Sequence, residues 1–255
     1  MDISGYLKRI NYNGVVYRDL ATLRELQSNH VFAIPFETLD IQNQIPIYLQ
    51  INFLYQKVIH DRRGGYCYEL NVLFHNLLTH CGFKVTMIGG RLHHGNNKYG
   101  REFEHMALLV ELHGRKWLVD VGYGDFSLVP LALTPGEIQS DGRNYYQIID
   151  PVVVDGRSYL GVAKWSTTKQ DFKIDYIFRT IFGFNPLPFK IQLCTTLAFG
   201  LAFSFQNRLN FDFLTTDRTN PSLIANHSFV SFSAETGILS LQCFRNISVQ
   251  AVKCA

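Results

Sequence analysis

The stretch Arg62-Arg63-Gly64-Gly65-Tyr66-Cys67-Tyr68-Glu69-Leu70-Asn71 places a single cysteine just after two glycines, where a helix is predicted to begin. Gly82 follows this segment and suits the left-handed conformation that commonly ends a helix. The apolar residues between them have the i, i+3, i+4, i+7, i+8 spacing of one buried helix face: Leu70, Leu73, Phe74, Leu77 and Leu78. The sequence therefore predicts a buried helix from Cys67 to Cys81-Gly82.

Cys67 has two features of a reactive cysteine. The positive end of the helix dipole favours a thiolate there. The Gly64-Gly65 pair lets the backbone turn tightly and leaves room for a ligand to approach. A cysteine nucleophile also needs a base and a group that orients the base, and His105 and Asp120 are the candidates downstream. The competing interpretation is structural, with a small buried cysteine, a hydrogen-bonded histidine and an aspartate that caps a turn.

The first third of the chain is predicted to be helical. Leucines at near-helical spacing mark residues 19–30. Pro35 and Pro46 interrupt the next two segments, because proline lacks the N–H that a helix interior needs. We therefore expect short helices, separated by prolines, ahead of the helix that begins at Cys67.

The middle third changes to a β pattern. The predicted strands are residues 84–88, 106–112, 115–121, 145–154 and 159–164. His113-Gly114 is the tight connection of a hairpin, so His105 and Asp120 fall together near its open end. We expect an antiparallel barrel or a strongly curved sheet. The last third, from about Pro186, has a mixed pattern, and its final strands are predicted at 228–233 and 238–243.

The composition is that of a globular protein, with 47% hydrophobic and 18% charged residues among 255. The net charge of +3, without a dense Lys/Arg stripe, argues against a nucleic-acid partner. The basic segment 93–101 is interpreted as a solvated loop, with contact to an anionic cosubstrate as the alternative. No metal site is predicted, because His93-His94 cannot easily present both rings to one ion and Cys67 has no thiol partner at ligand spacing.

The cysteines and the apolar stretches indicate a cytoplasmic protein. The five cysteines are odd in number and form no CxxC, so a reducing compartment fits best. The N-terminus lacks a basic region followed by an apolar core, so no signal peptide is predicted. The longest apolar stretch, residues 197–205, is too short to span a bilayer, so no membrane partner is expected. The oligomeric state is left open.

Four sequence motifs resemble those of the arylamine N-acetyltransferases. Arg63-Gly64-Gly65-Tyr66-Cys67-Tyr68-Glu69 resembles the nucleophile motif of that family. Three more match in the same order, namely Ile34-Pro35-Phe36-Glu37-Thr38-Leu39-Asp40-Ile41, His105-Met106-Ala107-Leu108-Leu109-Val110 and Val119-Asp120-Val121-Gly122-Tyr123-Gly124. The distances along the chain between Cys67, His105 and Asp120 also resemble those of the family. The resemblance covers roughly residues 1–180.

The resemblance implies an α+β fold with an N-terminal helical bundle, a central antiparallel β-barrel and a C-terminal α/β lid. We expect these at residues 1–82, 83–185 and 186–255, with a papain-like Cys-His-Asp site between the first two. The implied reaction is ping-pong transfer of acetyl from acetyl-CoA, through an acetyl-Cys67 thioester, to an arylamine or arylhydrazine in xenobiotic metabolism. Acetyl-CoA is a cosubstrate, and no tightly bound cofactor is expected.

The resemblance also implies substrate contacts. Phe36 and Phe126 match positions that line the acceptor pocket, with core packing as the alternative. Arg101 and Glu102 match positions on the CoA side, with a solvated loop as the alternative. Gly122 and Gly124 leave room for the CoA pyrophosphate to approach backbone N–H groups. The residues predicted to contact substrate are Phe36, Tyr66, Arg101, Glu102, Glu104, Gly122, Tyr123, Gly124 and Phe126. In addition, Arg63 and Glu69 are predicted to form an ion pair that braces the helix, with a surface role as the alternative.

The sequence departs from the family pattern at several points. Tyr123 stands where phenylalanine is usual and adds a hydroxyl near the pocket. Residues 194–210 match nothing in the family, whereas 219–229 still resemble a lid motif. The chain stops at Ala255, so we expect a shortened lid, with lower acetyl-CoA affinity or more hydrolysis. An amide synthase with the same three residues, an acyl-CoA hydrolase and a catalytically silent CoA-binding protein remain as alternatives.

Overall fold

The computed structural model describes residues 1–180, 228–233, 238–243 and 252–253 of the chain. It divides into two compact units, Met1–Ala198 and Phe199–Ala255. In the second unit, the two predicted strands are present as β9 (Ser228–Ser233) and β10 (Ile238–Cys243). They pair antiparallel, and β11 (Val252–Lys253) extends this sheet. The predicted lid features at residues 194–210 and 219–227 lie outside the described residues.

The helices of the first unit follow the predicted pattern of short segments. Asp19 caps the second helix, accepting the Thr22 N–H at 2.8 Å. That helix ends two residues before Pro35, which agrees with the bias of pre-proline residues against helical geometry. The helices are α1 (Ile3–Arg9), α2 (Leu20–Ala33), α3 (Leu39–Gln42), α4 (Ile51–Tyr55) and α5 (Cys67–His80), with a π-helical turn, Gln56–His60, after α4.

Helix α5 confirms the prediction made from its apolar spacing. It begins at Cys67 and ends at His80, and Gly82 has a φ of 82°, the left-handed conformation expected after a helix. The predicted face of leucines and Phe74 is fully buried. Helix α5 therefore presents the thiol at its first residue while its body lies in the core.

The β-rich part is an eight-stranded antiparallel sheet in the order β4-β3-β2-β1-β8-β7-β6-β5. Its two outer strands meet through one side chain, because the Gln139 amide accepts the Ala132 N–H at 2.7 Å and donates to the Ala132 carbonyl at 2.9 Å. The sheet is thus a nearly closed barrel. Its strands are β1 (Lys84–Leu92), β2 (His105–Leu112), β3 (Arg115–Val119), β4 (Leu131–Ala132), β5 (Ile138–Ser140), β6 (Tyr145–Val154), β7 (Arg157–Ser166) and β8 (Asp171–Phe178).

The predicted hairpin between β2 and β3 is confirmed. His113 and Gly114 both have positive φ, 49° and 74°, as a two-residue hairpin turn requires. Strand β3 ends at Val119, two residues earlier than predicted, because the Asp120 carboxylate accepts backbone N–H groups beyond it and turns the chain. The start of β2 and the end of β3 therefore lie side by side at the open end of the hairpin.

The helices and the barrel share one hydrophobic core. Buried residues of α5, such as Leu73 and Leu77, belong to the same cluster as Met106, Leu108 and Val110 of β2. This shared core fixes the first turn of α5 against the end of the barrel that carries the hairpin opening. The domain bounds at residues 82 and 185 stay predictions.

Candidate active site

His105 and Asp120 form a buried pair at the open end of the hairpin. His105 Nε2 lies 2.6 Å from Asp120 Oδ2, and the two side chains are 3% and 0% exposed. Burial lowers the pKa of His105, but the charge of Asp120 and the hydrogen bonds with Asp120 and Cys67 outweigh it and raise the pKa to about 10. Because Asp120 occupies Nε2, Nδ1 is the ring nitrogen left for the Cys67 thiol.

Cys67 is the first residue of α5 and is only 5% exposed. The start of this helix is stabilised by Glu69, whose carboxylate accepts the Tyr66 N–H at 3.1 Å. Gly122 lies directly against Cys67, and a Cβ there would fall 2.6 Å from Cys67 Cα. Only glycine allows this approach, and the approach brings the turn after Asp120 onto the backbone of Cys67.

Asn71 was not among the predicted site residues, yet it connects the elements of the site. Its amide donates to the Met106 carbonyl at 2.7 Å and to Asp120 Oδ1 at 2.9 Å, and its own oxygen accepts the Val121 N–H at 3.1 Å. Asn71 is fully buried, and its place one turn after Cys67, between the apolar residues Leu70 and Val72, was a usable sequence signal. Asn71 holds the Asp120 turn and the start of β2 on one helix.

Tyr176 is a second residue that the sequence analysis missed. It is fully buried on β8, and its hydroxyl donates to Asp120 Oδ2 at 3.1 Å. Its ring also lies 4.8 Å from the ring of His105. No local motif marks this tyrosine, since its partner is far away in sequence. Tyr176 closes the site from the barrel side.

The structure gives Gly64 and Gly65 a different role from the predicted one. A Cβ on Gly64 would lie 2.1 Å from the Pro35 carbonyl oxygen, so protein backbone fills the space that was expected to admit a ligand. The Gly65 carbonyl accepts the Glu37 N–H at 2.9 Å. The glycines therefore let residues 35–37 approach the segment ahead of Cys67.

The predicted ion pair between Arg63 and Glu69 is wrong. Glu69 instead pairs with Lys57, at 2.8 Å, and Lys57 also lies 2.7 Å from Asp40. Arg63 pairs with Asp40 at 2.7 Å and with Glu37 at 2.8 Å. The π-helical turn carries Lys57 to the inner side of the α5 start, whereas Arg63 faces α3. The helix is thus braced through Lys57.

One of the residues predicted to contact substrate, Tyr123, lies against the ring of His105. Tyr123 is half-buried and its ring lies 5.4 Å from that of His105, nearly perpendicular to it. Phe126 is buried, and its ring centroid lies 6.2 Å from that of Tyr176. Phe36 is half-buried beside Gly65 through a parallel bridge. These positions are consistent with a pocket for an aromatic acceptor, which stays a prediction.

Two of the other predicted contacts also lie in buried surroundings. The Tyr66 ring is buried, and its hydroxyl has no hydrogen-bond partner among the described residues. The Gly122 N–H is bonded to Asp120 Oδ1 at 2.9 Å, so it is not available to a pyrophosphate. Gly122 was predicted to let CoA approach its N–H group. In the structure this residue packs against Cys67 instead.

The remaining predicted contacts lie on loops, where the Glu104 side chain is buried and the other three residues are exposed. Arg101 and Gly124 are exposed. Glu102 is also exposed and accepts the Tyr159 hydroxyl, whereas Glu104 pairs with His94 at 3.1 Å. Their predicted contacts with CoA stay untested.

Within the described residues, no group of three or more His, Cys, Asp or Glu side chains is placed to hold a metal ion. The described helices are all too short or too polar to cross a bilayer.

Comparison with known proteins identifies the family. A family model described as N-acetyltransferase matches residues 19–241, most of the chain. The chain is 37% identical over 153 residues to proansamycin X synthase of Amycolatopsis mediterranei (strain S699), and 36% identical over 143 residues to arylamine N-acetyltransferase 1 of Mus musculus. These alignments cover 58% and 54% of this chain and only 58% and 49% of the relatives. The chain belongs to the arylamine N-acetyltransferase family.

Solved structures give the same result for the fold. The arylamine N-acetyltransferase of Nocardia farcinica aligns with a TM-score of 0.65 and 33% identity, over 71% of this chain and 64% of that one. The enzyme of Mycobacterium marinum, solved in complex with CoA, aligns with a TM-score of 0.64 and 26% identity, over 100% and 87% of the two chains. The nearly closed antiparallel barrel with few helices is thus the fold of this family.

Proposed function

We propose that this protein transfers an acetyl group from acetyl-CoA to an aromatic amine or hydrazine, with Cys67 as nucleophile. The observation that carries the proposal is the buried His105–Asp120 pair, which faces a cysteine at a helix N-terminus. This arrangement favours a thiolate–imidazolium pair, because the charge of Asp120 stabilises the protonated ring.

In the first half-reaction, the Cys67 thiolate attacks the carbonyl carbon of acetyl-CoA. The bond from that carbon to the CoA sulfur breaks, and His105 gives its proton to the departing thiolate of CoA. The acetyl group is then held as a thioester on Cys67. The family relationship and the CoA complex of the M. marinum relative support acetyl-CoA as the donor. Arg101, Glu102 and Glu104 are the proposed contacts on the CoA side.

In the second half-reaction, the neutral amine attacks the thioester carbonyl. An amide bond forms, the Cys67 thiolate leaves, and His105 accepts the proton that the amine loses. Aromatic amines are weakly basic and therefore neutral near pH 7, so they need an apolar slot rather than a carboxylate. The rings of Phe36, Tyr123 and Phe126 are the proposed walls of that slot.

Steady-state kinetics test this proposal. We expect parallel lines in double-reciprocal plots of acetyl-CoA against a simple aromatic amine, since free CoA leaves before the amine binds. Intersecting lines would contradict the ping-pong order. Steady CoA release without amine would instead indicate that water is the normal acceptor.

The match to proansamycin X synthase favours a second candidate, an amide synthase that uses the same three residues with another acceptor. A panel of acyl donors and amines separates the two. Turnover of acetyl-CoA with simple arylamines supports the acetyltransferase, whereas acylation of Cys67 only by larger acyl thioesters supports the synthase.

A further inference from the structure

Helix α5 holds the main chain on both sides of His105. The Tyr68 hydroxyl donates to the Phe103 carbonyl, and the Asn71 amide donates to the Met106 carbonyl at 2.7 Å. Tyr68 and Asn71 are three residues apart and therefore lie on one face of the helix. One accepting carbonyl lies two residues before His105 and the other lies one residue after it. The helix that begins with Cys67 thus fixes the backbone that carries the base.

The backbone at Phe103 is strained. Its φ is 63°, a left-handed conformation that a bulky side chain rarely adopts. The Phe103 ring lies over Gly89, where a Cβ would fall 2.2 Å from Phe103 Cδ1. Gly89 itself pairs with Met106 in the β1–β2 ladder. The Tyr68 hydroxyl thus contacts the turn ahead of His105 from outside, and the absence of a side chain at Gly89 makes room for the Phe103 ring.

We propose that Tyr68 is a positioning residue, whose hydroxyl fixes the turn ahead of His105 and so sets the approach of the imidazole to the Cys67 thiol. This inference rests on the proposed role of Cys67 as nucleophile. Cys67 and His105 come from different elements, so their separation depends on the ties between α5 and β2. Without the hydroxyl, Asn71 still ties α5 to the far side of His105, while the near side loses the tie that Tyr68 makes to α5.

The test is Tyr68→Phe, which removes only the hydroxyl and keeps the stacking on Tyr66, 5.7 Å away. The groups that face His105 are Cys67, Asp120, Tyr123 and Tyr176, and this variant changes none of them. The matched control is Tyr55→Phe, which removes a hydroxyl that donates to the Asp2 carbonyl at 2.9 Å.

The readout is the rate at which iodoacetamide alkylates Cys67 as a function of pH, resolved by peptide mass spectrometry. Cys81 is the internal reference, since burial raises the pKa of its thiol. In the wild type we expect Cys67 to react well before Cys81 at neutral pH. Tyr68→Phe should lower the Cys67 rate at pH 7 about tenfold, while Tyr55→Phe matches the wild type.

A wild-type profile in a folded Tyr68→Phe protein would overturn the inference. Should that variant not fold, Gly89→Ala carries the same test, because the added methyl displaces the Phe103 ring, and an unchanged profile there overturns the inference as well. If Cys67 of the wild type reacts no faster than Cys81, the proposed nucleophile fails, and the positioning role fails with it.

Discussion

Asp120 accepts hydrogen bonds from five donors, and this explains how a single carboxylate organises the site. Oδ1 receives the N–H groups of Gly122 and Tyr123 and the amide of Asn71. Oδ2 receives His105 and the Tyr176 hydroxyl. With so many donors, the carboxylate stays in one orientation, and the imidazole that it holds has little freedom to turn.

Replacing Asp120 with asparagine tests this orientation. The variant keeps the shape but removes the charge that raises the pKa of His105, so the ring loses its protonated form near neutral pH. We expect kcat/KM for acetyl transfer to fall by about 10³- to 10⁴-fold. The control is Asp155→Asn, which removes an exposed partner of Arg91. Retention of more than a tenth of the activity in Asp120→Asn would contradict the account.

Replacing Asn71 with alanine tests the residue that ties the site together. Because the Met106 carbonyl and the Val121 N–H lose their partner in a buried place, we expect the free energy of unfolding to fall by about 2–4 kcal/mol. Activity should fall by about 100-fold as the Asp120 turn loosens. The matched control on the same helix is Asn76→Ala, whose amide donates to the Val72 carbonyl from a partly exposed position. Equal effects of the two changes in urea unfolding and in kcat would refute this role.

At the scale of elements, a buried ion cluster fixes the start of α5. Lys57 contacts both Asp40 and Glu69, and all three side chains are at most 14% exposed. Burial raises the pKa of Glu69, although the nearby Lys57 opposes that rise. Asp40 also pairs with Arg63, so the loss of Lys57 leaves Glu69 as the buried carboxylate without its ion-pair partner.

The Lys57→Met variant should therefore be strongly destabilised. We expect the free energy of unfolding to fall by about 3–5 kcal/mol, because the buried carboxylate of Glu69 loses its ion-pair partner. Lys84→Met is the control, since Lys84 pairs with Glu111 at the surface, where both side chains are exposed, and should cost under about 1 kcal/mol. Chemical denaturation of both variants measures the difference; similar midpoints would show that the cluster is unimportant.

Local sequence patterns predicted the elements better than the contacts between them. Helix α5 and the β2–β3 hairpin follow from spacing and turn residues within a few positions. Strand β8 was overlooked although apolar and charged residues alternate along it. Cys67, His105 and Asp120 stood out through their motifs. By contrast, Tyr176 and Lys57 find their partners only after folding, and no local rule ranks one charged neighbour of Glu69 above another.

At the scale of the whole molecule, the site lies where the helices meet the barrel, and the core beneath it contains a buried histidine. The His30 ring is fully buried, with Nδ1 2.8 Å from the Tyr6 hydroxyl. Burial, with a smaller effect of Arg9, lowers the pKa of His30 from 6.5 to about 3. His30 is therefore neutral in the folded protein across the ordinary pH range.

This histidine should make the fold sensitive to acid. Between pH 6.5 and about 3, the unfolded chain protonates His30 while the folded chain does not, so the free energy of unfolding falls as the pH falls, by up to about 1.4 kcal/mol per pH unit. The raised pKa of His105 acts in the other direction, since its contribution is complete below pH 6.5 and is lost as the pH rises toward about 10.

Urea unfolding at several pH values between 4 and 6.5 measures this dependence. We expect His30→Gln to be less stable at pH 7 and to have a flatter acid dependence than the wild type, because the substituted side chain does not titrate. The control His80→Gln changes an exposed histidine and should leave the slope unchanged. An unaltered slope in His30→Gln would show that other groups cause the acid sensitivity.

The central claim is that Cys67 carries the acetyl group, and intact mass spectrometry tests it most directly. The protein is incubated briefly with acetyl-CoA and no acceptor, beside its Cys67→Ala variant, and an aromatic amine is then added. We predict a mass increase of one acetyl group that requires Cys67 and disappears when the amine is added. An acetyl adduct that persists in Cys67→Ala, or an absence of both adduct and CoA release, would contradict the claim.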